Sequence, residues 1–411
     1  MDKYICDFHI HSKYSRATSK DMDIENLTKW AKIKGVSLLG SGDFTHPQWL
    51  AELKSRLEPK GDDVFTHAGI DFILTAEVSN IYPKAGKTRK VHNIIFAPDY
   101  STVEEINSFL SAYGLLESDG RPMLSLPCDK MVKKILKINP ACMIIPAHAW
   151  TPHFSVFGSN SGFDKIEECF EDQTKNIYSL ETGLSSDPPM NWRWSELDKL
   201  TLTSNSDAHS PSKIGREANV FNAPINYREL RDILINKDKE RFLYTIEFFP
   251  QEGKYHWDGH RACGQRLSPQ EAKKVNNICP ACGKKLTIGV MNRVDSLSDR
   301  REGYISKNSP SYISLIPLVE IIASALEMGA GTKTVLKEYN KIIRAFGTEF
   351  GILLDAPKKE IVKHCPPKIG KGIIRVREGN VGVVPGYDGV YGEIHVFKDG
   401  DQEAQKQMAF F

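Results

Sequence analysis

The amino-acid sequence predicts an α/β fold, in which parallel strands form either a barrel or a doubly wound sheet and helices cover them. Two observations lead to this prediction. Over residues 1–245, short apolar segments alternate with more polar, helix-like segments, which is the pattern of repeated βα units. Residues able to bind a metal ion follow these apolar segments one after another, and parallel α/β proteins assemble their active sites at the C-terminal ends of strands.

Seven apolar segments of this region are the predicted strands. In chain order they read YICDFHIH, SLLGSGDF, FILTAEVS, VHNIIFAP, CMIIPAHAW, NIYSLETG and LTLTSNSDAH. Helix-like segments lie between several of them. One of these, DIENLTKWAKIKG, ends at Gly35, and glycine is typical of helix C-termini.

The first strand carries two histidines that are two residues apart, His9 and His11. A strand points both side chains to the same face, where two imidazoles can hold a metal ion. The strand ends supply further polar residues, namely Asp43, His46, Glu77, His92, His148, Glu181, Asp207 and His209. Imidazoles and carboxylates without a thiol suit zinc, manganese or iron, which activate water and neutralise phosphate charge. We expect Glu77 to bridge two metals and Glu181 to orient a ligand histidine.

The composition sets limits on the function. A chain of 411 residues suggests two or three domains, and a formal net charge of +2 means that any nucleic-acid surface must be local. No segment approaches the roughly 18 apolar residues of a membrane helix, and the N-terminus lacks a signal segment. We therefore predict a cytoplasmic, nucleoid-associated protein without a membrane partner. Eight cysteines are too few for a disulfide framework.

A second group of metal ligands lies beyond the strands. The segments HRACG and CPACG place His260 with Cys263, and Cys279 with Cys282, at the spacing of paired zinc ligands. A closed tetrahedral site would supply folding energy that this Gly- and Pro-rich segment lacks. We therefore predict one structural zinc ion, with His256 as an alternative fourth ligand.

These patterns divide the chain into four regions. They are a strand-rich metal-binding domain (1–245), a zinc-binding ribbon (246–300), a helical domain (301–370), and a basic, Gly-rich C-terminal segment with a tail (371–411). The helical domain contains two amphipathic segments, SYISLIPLVEIIASALEMG and TVLKEYNKIIRAFG. The final QKQMAFF resembles sliding-clamp-binding motifs, in which a glutamine, an aliphatic residue and two aromatic residues dock on the clamp; the alternative is a frayed terminus.

The ordered motifs of the first region resemble the PHP (polymerase and histidinol phosphatase) superfamily. These motifs are HIH, SGDFTH, TAEVS, VHNIIF, PAHAW and NSDAH. The resemblance implies a distorted seven-stranded β/α barrel that hydrolyses phosphoesters with two or three divalent metals, here zinc, manganese or magnesium. It implies three ligand sets: His9, His11, Glu77 and Asp207 for one metal; Glu77, His92 and His148 for a second; and Asp43 or His46 with His209 for a third. The predicted catalytic residues are Glu77, His148 and Asp207.

The whole arrangement resembles the endonuclease Q family. The resemblance extends beyond the barrel to YHWDGHRACG, CPACGKKL, the helical pair and VREGNVGVVPGYDGVYG. It implies an enzyme that nicks DNA on the 5′ side of deaminated bases (hypoxanthine, uracil and xanthine) and of abasic sites, leaving 3′-hydroxyl and 5′-phosphate ends. The implied partner is DNA that contains such bases.

Basic and aromatic residues near the predicted site are candidate DNA contacts. Basic side chains would meet backbone phosphates. Tryptophans at the mouth of the site would stack on an extruded base or, alternatively, pack at the barrel rim. The candidates are Arg16, Lys84, Lys87, Arg89, Lys90, Trp150, Trp192, Lys371, Arg375 and Arg377.

Two other functions are compatible with such a barrel. A small-molecule phosphatase would need neither the zinc ribbon nor the basic C-terminal segment. A non-catalytic nucleic-acid-binding module would lack at least one ligand of the first two metals, whereas all of those ligands are present.

Overall fold

A computed structural model describes residues 3–61 and 63–397 of the chain. Its strands are β1 (Tyr4–Asp7), β2 (Leu38–Gly40), β3 (Glu58–Gly61), β4 (Val64–His67), β5 (Ile70–Lys84), β6 (Lys87–Ala97), β7 (Met123–Leu124), β8 (Met143–Pro146), β9 (Ser179–Glu181), β10 (Thr201–Thr203), β11 (Ala218–Phe221), β12 (Phe242–Glu247), β13 (Asp258–His260), β14 (Gln265–Leu267), β15 (Ser311–Ser314), β16 (Gly382–Val384) and β17 (Glu393–His395). The tail QKQMAFF and its predicted clamp contact lie outside the described residues.

Helices separate and follow the strands. They are α1 (Ile24–Lys34), α2 (Pro47–Arg56), α3 (Tyr100–Leu110), α4 (Cys128–Ile138), α5 (Ile166–Phe170), α6 (Pro188–Trp192), α7 (Tyr227–Asn236), α8 (Pro269–Lys274), α9 (Val290–Leu297), α10 (Leu318–Leu326), α11 (Lys333–Phe346), α12 (Lys358–His364) and α13 (Pro367–Arg377). Helix α1 ends at Gly35, whose φ of 87° is left-handed, so the predicted helix stop is confirmed. Within residues 3–61 and 63–397, no helix combines the length and apolarity needed to cross a membrane.

Seven strands surround the candidate site, and the predicted α/β fold is confirmed. Strands β1, β2 and β5 pair in parallel, β6 joins β5 to β8, and β9 pairs with β10. The barrel closes where the His11 amide donates to the carbonyl of Ala208, with an N–O distance of 3.0 Å. Strands β11, β12 and β15 extend the sheet outward from β1. One continuous apolar core runs from the barrel into helices α10, α11 and α13.

The expectation that all barrel strands are parallel was wrong for β6. Strands β5 and β6 form a long antiparallel hairpin, and its tip is the two-residue turn Ala85–Gly86. Both turn residues have positive φ, 51° and 72°, as a tight hairpin turn requires. His92 therefore lies within β6 rather than at a C-terminal strand end. It pairs with Ser79 and shares a sheet face with Glu77, because residues two apart on a strand point the same way.

The C-terminal helices pack on the barrel through helix α1. Both predicted amphipathic helices are present, as α10 and α11. A buried ion pair crosses the junction, with Lys34 Nζ 2.7 Å from Glu349 Oε2. Glu349 also accepts hydrogen bonds from the Leu318 amide and the Tyr339 hydroxyl. Helix α13 runs across the predicted domain boundary at residue 370 and packs against α10, so the first part of the basic segment belongs to the helical region.

Replacing Glu349 by Ala is expected to lower the free energy of unfolding by about 3–5 kcal/mol, because it leaves the Lys34 ammonium buried without its counter-charge. Urea denaturation followed by circular dichroism would measure the change. The matched control is Glu378→Ala, which breaks the exposed Lys358–Glu378 pair and should cost less than about 1 kcal/mol. If the two variants lost the same free energy of unfolding, burial would not be the reason that the Lys34–Glu349 pair matters for stability.

The predicted zinc-binding region is a small unit held against the barrel. Strands β13 and β14 form a short hairpin next to helix α8. Its own apolar cluster contains few buried residues, Ala272, Cys279 and Leu286. Helix α9 attaches it to the barrel, since the Arg293 guanidinium donates to the carbonyls of Phe157 and Phe163. So small a core leaves this unit dependent on another source of folding energy.

Candidate metal centre

Four side chains from three parts of the chain meet inside the barrel: His9, His11, Glu77 and Asp207. One ligand atom from each lies within 4.8 Å of all the others. Glu77 Oε2 is 3.4 Å from His9 Nε2 and 3.2 Å from His11 Nε2. The two imidazole Nε2 atoms and Asp207 Oδ1 are buried and have no hydrogen-bond partner among the described residues. Buried ligand atoms that converge without bonding one another fit a divalent cation.

A second cluster shares Glu77 with the first. Its other members are His92 and His148, whose nearest ring nitrogens lie 2.7 Å and 3.0 Å from Glu77 Oε1. Glu77 thus presents Oε2 to the first cluster and Oε1 to the second. A carboxylate placed between two ligand sets can bridge two metals, which is the arrangement of two-metal phosphodiesterases.

Two buried carboxylates orient the ligand histidines. Glu181 lies 3.0 Å from His9 Nδ1 and also accepts the His148 amide at 2.7 Å, so the predicted orienting role of Glu181 is confirmed. Asp43 lies 3.0 Å from His11 Nδ1. Because each Nδ1 is bound by a carboxylate, each Nε2 is directed towards the shared centre.

Three residues of the site have strained backbone conformations. Asp43, His148 and Asp207 have φ of 47°, 31° and 47°, in the left-handed region that residues other than glycine seldom adopt. Each such conformation costs about 1–3 kcal/mol and persists where the surrounding structure enforces it. All three lie in the loops that follow barrel strands, so the strain lies where the chain turns to present polar side chains.

Burial and neighbouring charges shift the pKa values of His9 and Glu77 in opposite directions. Burial alone lowers the pKa of His9, but the carboxylates of Glu181 and Glu77 outweigh it and raise this pKa well above its usual value. Burial alone raises the pKa of Glu77, and His92, His9 and Arg121 together hold it well below its usual value. Burial lowers the pKa of His92 to about 4, so this imidazole is neutral and can donate a lone pair.

The members of the predicted third ligand set have other contacts in the structure, and a third metal stays a prediction. Asp43 is buried and already binds the His11 ring. His46 stacks on the Tyr14 ring at a centroid distance of 4.4 Å. The His209 ring packs against that of His11, and its Nδ1 is 2.9 Å from the Asp207 carbonyl oxygen. Among the described residues, the ligand groups that meet at the barrel mouth are the two clusters joined by Glu77. We therefore assign Asp43 an orienting role.

A pair of buried glutamates lies outside the two clusters. Glu217 precedes β11 and Glu247 ends β12, so antiparallel pairing places them opposite each other. Each has one carboxylate oxygen without a hydrogen-bond partner among the described residues. Burial raises the pKa of Glu217 well above its usual value, and raises that of Glu247 to about 8. At neutral pH the folded protein therefore holds a proton here that the unfolded chain releases.

Replacing Glu247 by Gln is expected to flatten the dependence of stability on pH. In the wild type the folded state binds the additional proton, so the free energy of unfolding falls as the pH rises from about 4.5 to about 8. The variant lacks this group and should lose less stability over the same range. Chemical denaturation at about pH 5 and about pH 9 measures the difference. The same dependence of stability on pH in the variant and the wild type would contradict the raised pKa of Glu247. The control is Glu104→Gln, which changes an exposed glutamate.

Both tryptophans predicted to stack on DNA are core residues instead, so these predictions were wrong. Trp150 is 1% exposed, and its indole N–H donates to Asn191 Oδ1 at 2.8 Å. Trp192 is 6% exposed and packs edge-on against the Tyr312 ring. The strand-end position identified the neighbourhood of the site, but the side chains point into the wall of the barrel.

Two basic residues of the C-terminal segment also have structural partners. The Arg375 side chain is 9% exposed and donates to the Val396 carbonyl at 2.8 Å. Arg377 donates to the carbonyls of Leu354 and Ala356, at the end of a π-helical turn (Gly351–Asp355). The burial of Arg375 contradicts its predicted contact with DNA, whereas Arg377 is half-buried and its predicted contact stays a prediction.

The basic residues around the hairpin tip are more accessible. Lys84 forms an ion pair with Glu171 at 2.7 Å, and the Arg89 guanidinium donates to the Gly162 carbonyl. Lys90 lies over an aromatic ring. The exposed candidates are Arg16, Lys87 and Lys371.

The zinc ligands predicted from sequence also come together. Ligand atoms of His260, Cys263, Cys279 and Cys282 all lie within 4.8 Å of one another. Three thiols and one imidazole at such distances fit a tetrahedral structural zinc ion. His256, the alternative fourth ligand, is not part of this group. It is buried, and burial lowers its pKa to about 4.

A cavity of about 500 Å³ adjoins the metal clusters. Its walls come from the barrel, the zinc-binding unit and helix α10, and they include Thr151, Lys213, Arg216, Glu252 and His256. Thr151 links the cavity to the metal ligands, because its hydroxyl lies 2.8 Å from His148 Nδ1. Burial raises the pKa of Glu252 to about 8, so this wall carries a carboxyl group that is largely protonated at neutral pH.

Sequence reasoning missed one charged residue of the site. Arg121 lies in the segment SDGRPM, which has neither periodicity nor a motif to mark it. Its guanidinium donates to Glu77 Oε2 at 3.1 Å. The sequence signal that could have identified Arg121 is a basic residue just before a short strand-forming segment.

The comparison with solved structures decides the family. The chain is similar to the lesion-specific endonuclease PfuEndoQ from Pyrococcus furiosus, with 32% identity and a TM-score of 0.86 over 98% of this chain and 99% of that protein. This chain belongs to the endonuclease Q family. A second endonuclease Q structure, a complex with a 27-mer duplex substrate that has an abasic lesion at the active site, is 32% identical with a TM-score of 0.85 over 97% of this chain and 98% of that chain. As a member of the endonuclease Q family, the protein is a hydrolase.

Two further relatives extend the family comparison. YqxK of Bacillus subtilis, an uncharacterized protein, is 29% identical over 96% of this chain and 100% of its own length. The uncharacterized protein MJ0043 of Methanocaldococcus jannaschii is 34% identical over 60% of this chain and 31% of its own length. A family model described as the MJ0043 C-terminal domain matches residues 317–380. This match coincides with helices α10 to α13 of the endonuclease Q fold.

Proposed function

We propose that this protein is a metal-dependent DNA repair endonuclease. In this proposal it nicks DNA on the 5′ side of deaminated bases (hypoxanthine, uracil and xanthine) and of abasic sites, and leaves 3′-hydroxyl and 5′-phosphate ends. The observation that carries the proposal is the sharing of Glu77 between two ligand clusters in a chain that matches a lesion-specific endonuclease over nearly its whole length. Two ligand clusters that share a carboxylate suit phosphodiester hydrolysis more than a purely structural metal site.

The residues that would hold the metals are those of the two clusters. They are His9, His11, Glu77 and Asp207 in the first, and Glu77, His92 and His148 in the second. Bound divalent metals would supply Lewis-acid chemistry, namely activation of water and neutralisation of phosphate charge. The protein itself fixes the imidazoles: Glu181 and Asp43 hold the Nδ1 atoms of the ligand histidines, so their Nε2 atoms need no reorganisation during the reaction.

The adjoining cavity supports the finer proposal that the enzyme takes a single nucleotide out of the duplex. Its volume of about 500 Å³ is that of a small-ligand pocket. Two of its lining residues contact predicted metal ligands, Thr151 with His148 and Arg216 with Asp207. A damaged or missing base costs less to unstack than a paired one, which favours extrusion at lesions. We assign this cavity to the extruded nucleotide, and we assign phosphate contacts to Arg16, Lys84, Lys87, Arg89, Lys90 and Lys371.

The proposal is tested with end-labelled duplexes that each carry one inosine, one uracil, one xanthine or one abasic site, incubated with purified protein and manganese or magnesium. We expect one nick on the 5′ side of each lesion and none in an undamaged duplex. A denaturing gel locates the cut, and ligation of the product reports the 3′-hydroxyl and 5′-phosphate ends.

Three results would contradict the proposal in different ways. Equal cleavage of the undamaged duplex would indicate a general nuclease. Cleavage on the 3′ side would indicate a different chemistry at the lesion. Hydrolysis of a small phosphate monoester without any cleavage of DNA would favour the phosphatase alternative.

A further inference from the structure

Arg121 stands beside the first metal cluster with most of its donors free. One guanidinium nitrogen donates to Glu77 Oε2 at 3.1 Å, the same oxygen that faces His9 and His11. Among the described residues, this carboxylate is the acceptor of the guanidinium, although such a group carries about five N–H donors. The side chain is 24% exposed, so part of it is accessible to a bound ligand.

The position of Arg121 follows from strand pairing. Strand β7 runs parallel to β5 and pairs Met123 with Ser79. Two residues earlier, the same register places Arg121 opposite Glu77. The strand pairing therefore places the guanidinium at the metal cluster, although Arg121 and Glu77 are 44 residues apart in the sequence.

The turn before Arg121 is hydrogen-bonded to the loop that follows His11. Asp119 Oδ1 accepts the backbone amides of Arg16 at 3.1 Å and of Arg121 at 3.2 Å. The Gly120 amide donates to the Tyr14 carbonyl at 3.1 Å. A side chain at position 120 would place its Cβ 2.2 Å from Asp43 Oδ2, so only glycine lets the two loops approach this closely. Asp119 therefore fixes two arginines at one edge of the site.

We propose that Arg121 is a catalytic residue that binds a non-bridging oxygen of the phosphate being hydrolysed, and that Asp119 is the positioning residue that holds it there. This inference rests on the proposed phosphodiesterase function. A guanidinium bound to phosphate donates two parallel charge-assisted hydrogen bonds, and these strengthen as negative charge grows in the transition state. The bond to Glu77 holds the guanidinium beside the residue that both ligand clusters share.

A purely structural role would give different results. If Arg121 served only as the counter-charge of Glu77, its loss would reduce metal binding, and lysine would replace it adequately. A catalytic role requires the planar fork of donors, which lysine lacks. Metal content and the response to lysine therefore separate the two roles.

The experiment compares Arg121→Ala, Arg121→Lys, Asp119→Ala and Asp119→Asn with the wild type. We expect Arg121→Ala to lower kcat on an abasic-site duplex by about 10²–10³-fold, with a much smaller change in KM. Arg121→Lys should lose most of the same activity, and guanidinium chloride should partly restore Arg121→Ala. Asp119→Ala should resemble Arg121→Ala, whereas Asp119→Asn keeps the Oδ1 acceptor and should stay near the wild type. Metal content, measured by mass spectrometry, should equal that of the wild type in all four variants.

The control variant is Arg56→Ala, which removes an exposed arginine paired with Glu25 and should leave kcat unchanged. A wild-type kcat in Arg121→Ala or Arg121→Lys would overturn the inference, and so would loss of bound metal from Arg121→Lys. The same variants are assayed on bis(p-nitrophenyl) phosphate, a small diester without a lesion. If the wild type cleaves this diester but not the abasic duplex, the proposed repair function fails, while the role of Arg121 is still decided by the diester rates. Hydrolysis of neither compound by the wild type would overturn both.

Discussion

Replacing Glu77 by Gln is expected to lower the rate of DNA hydrolysis by at least about 10³-fold, the largest loss that we predict for a single substitution. Glu77 is the one residue that belongs to both ligand clusters. An amide has a single acceptor oxygen and no charge, so it cannot serve two cations at once. Metal centres contribute several kcal/mol to transition-state stabilisation, and about 1.4 kcal/mol corresponds to a tenfold change in rate.

The measurement is single-turnover cleavage of an abasic-site duplex, together with metal content and binding of the duplex. We expect the variant to bind DNA within a few-fold of the wild type while it loses bound metal. Glu104→Gln, which removes the charge of an exposed glutamate paired with Lys54, is the matched control and should retain full activity. Cleavage by Glu77→Gln within tenfold of the wild type would mean that the shared carboxylate is not part of the hydrolytic centre. Asp207→Asn, which alters the first cluster alone, should also abolish hydrolysis and keep DNA binding.

Replacing Cys279 by Ser is expected to unfold the zinc-binding unit while the barrel stays folded. A structural zinc site can contribute about 10 kcal/mol or more, and the apolar cluster of this unit is too small to replace it. Since this unit supplies part of the cavity wall, including His256, the variant should also bind lesion-containing DNA more weakly. Limited proteolysis should cut the variant between β13 and α9, and mass spectrometry should find one zinc ion fewer.

Two further variants sharpen this test. Cys365→Ser changes another buried cysteine that lies outside the ligand group, so it should keep its zinc and resist proteolysis. His260→Ala should lose the metal, whereas His256→Ala should retain it, because His256 is not part of the cluster. Loss of zinc from His256→Ala instead would show that the fourth ligand has been assigned wrongly.

The sequence allowed the two clusters sharing Glu77 to be predicted because their ligands recur beside successive barrel strands, and a strand places alternate residues on one face. It did not reveal the direction of β6. The positive φ angles of Ala85 and Gly86 make a tight hairpin turn, and the segment PKAGKT is equally compatible with a longer loop. His92 was therefore predicted as a ligand from a strand-end position, whereas in the structure it lies within β6 and reaches Glu77 across the β5–β6 hairpin.

The errors at the edge of the site have a common physical origin. Trp150 and Arg375 occur in segments near the site, but whether such a side chain points outward depends on its partners. Arg121 shows the converse, since a parallel pairing between β7 and β5 places it opposite Glu77. Long-range pairing of this kind leaves no periodic trace in the sequence. Asp43 contacts the His11 ring, and the sequence could not distinguish this contact from metal binding, because a carboxylate can do either.

The positions of the ligands along the chain determine the order in which the two clusters can be completed during translation. A nascent chain possesses the three members of the second cluster once His148 has been translated, but the first cluster waits for Asp207. Glu77 can therefore meet its histidine partners first, and Asp207 only when the chain has emerged past the last barrel strand, β10. A truncated product that stops before this strand retains the hairpin with Glu77 and His92 and lacks a complete hydrolytic centre.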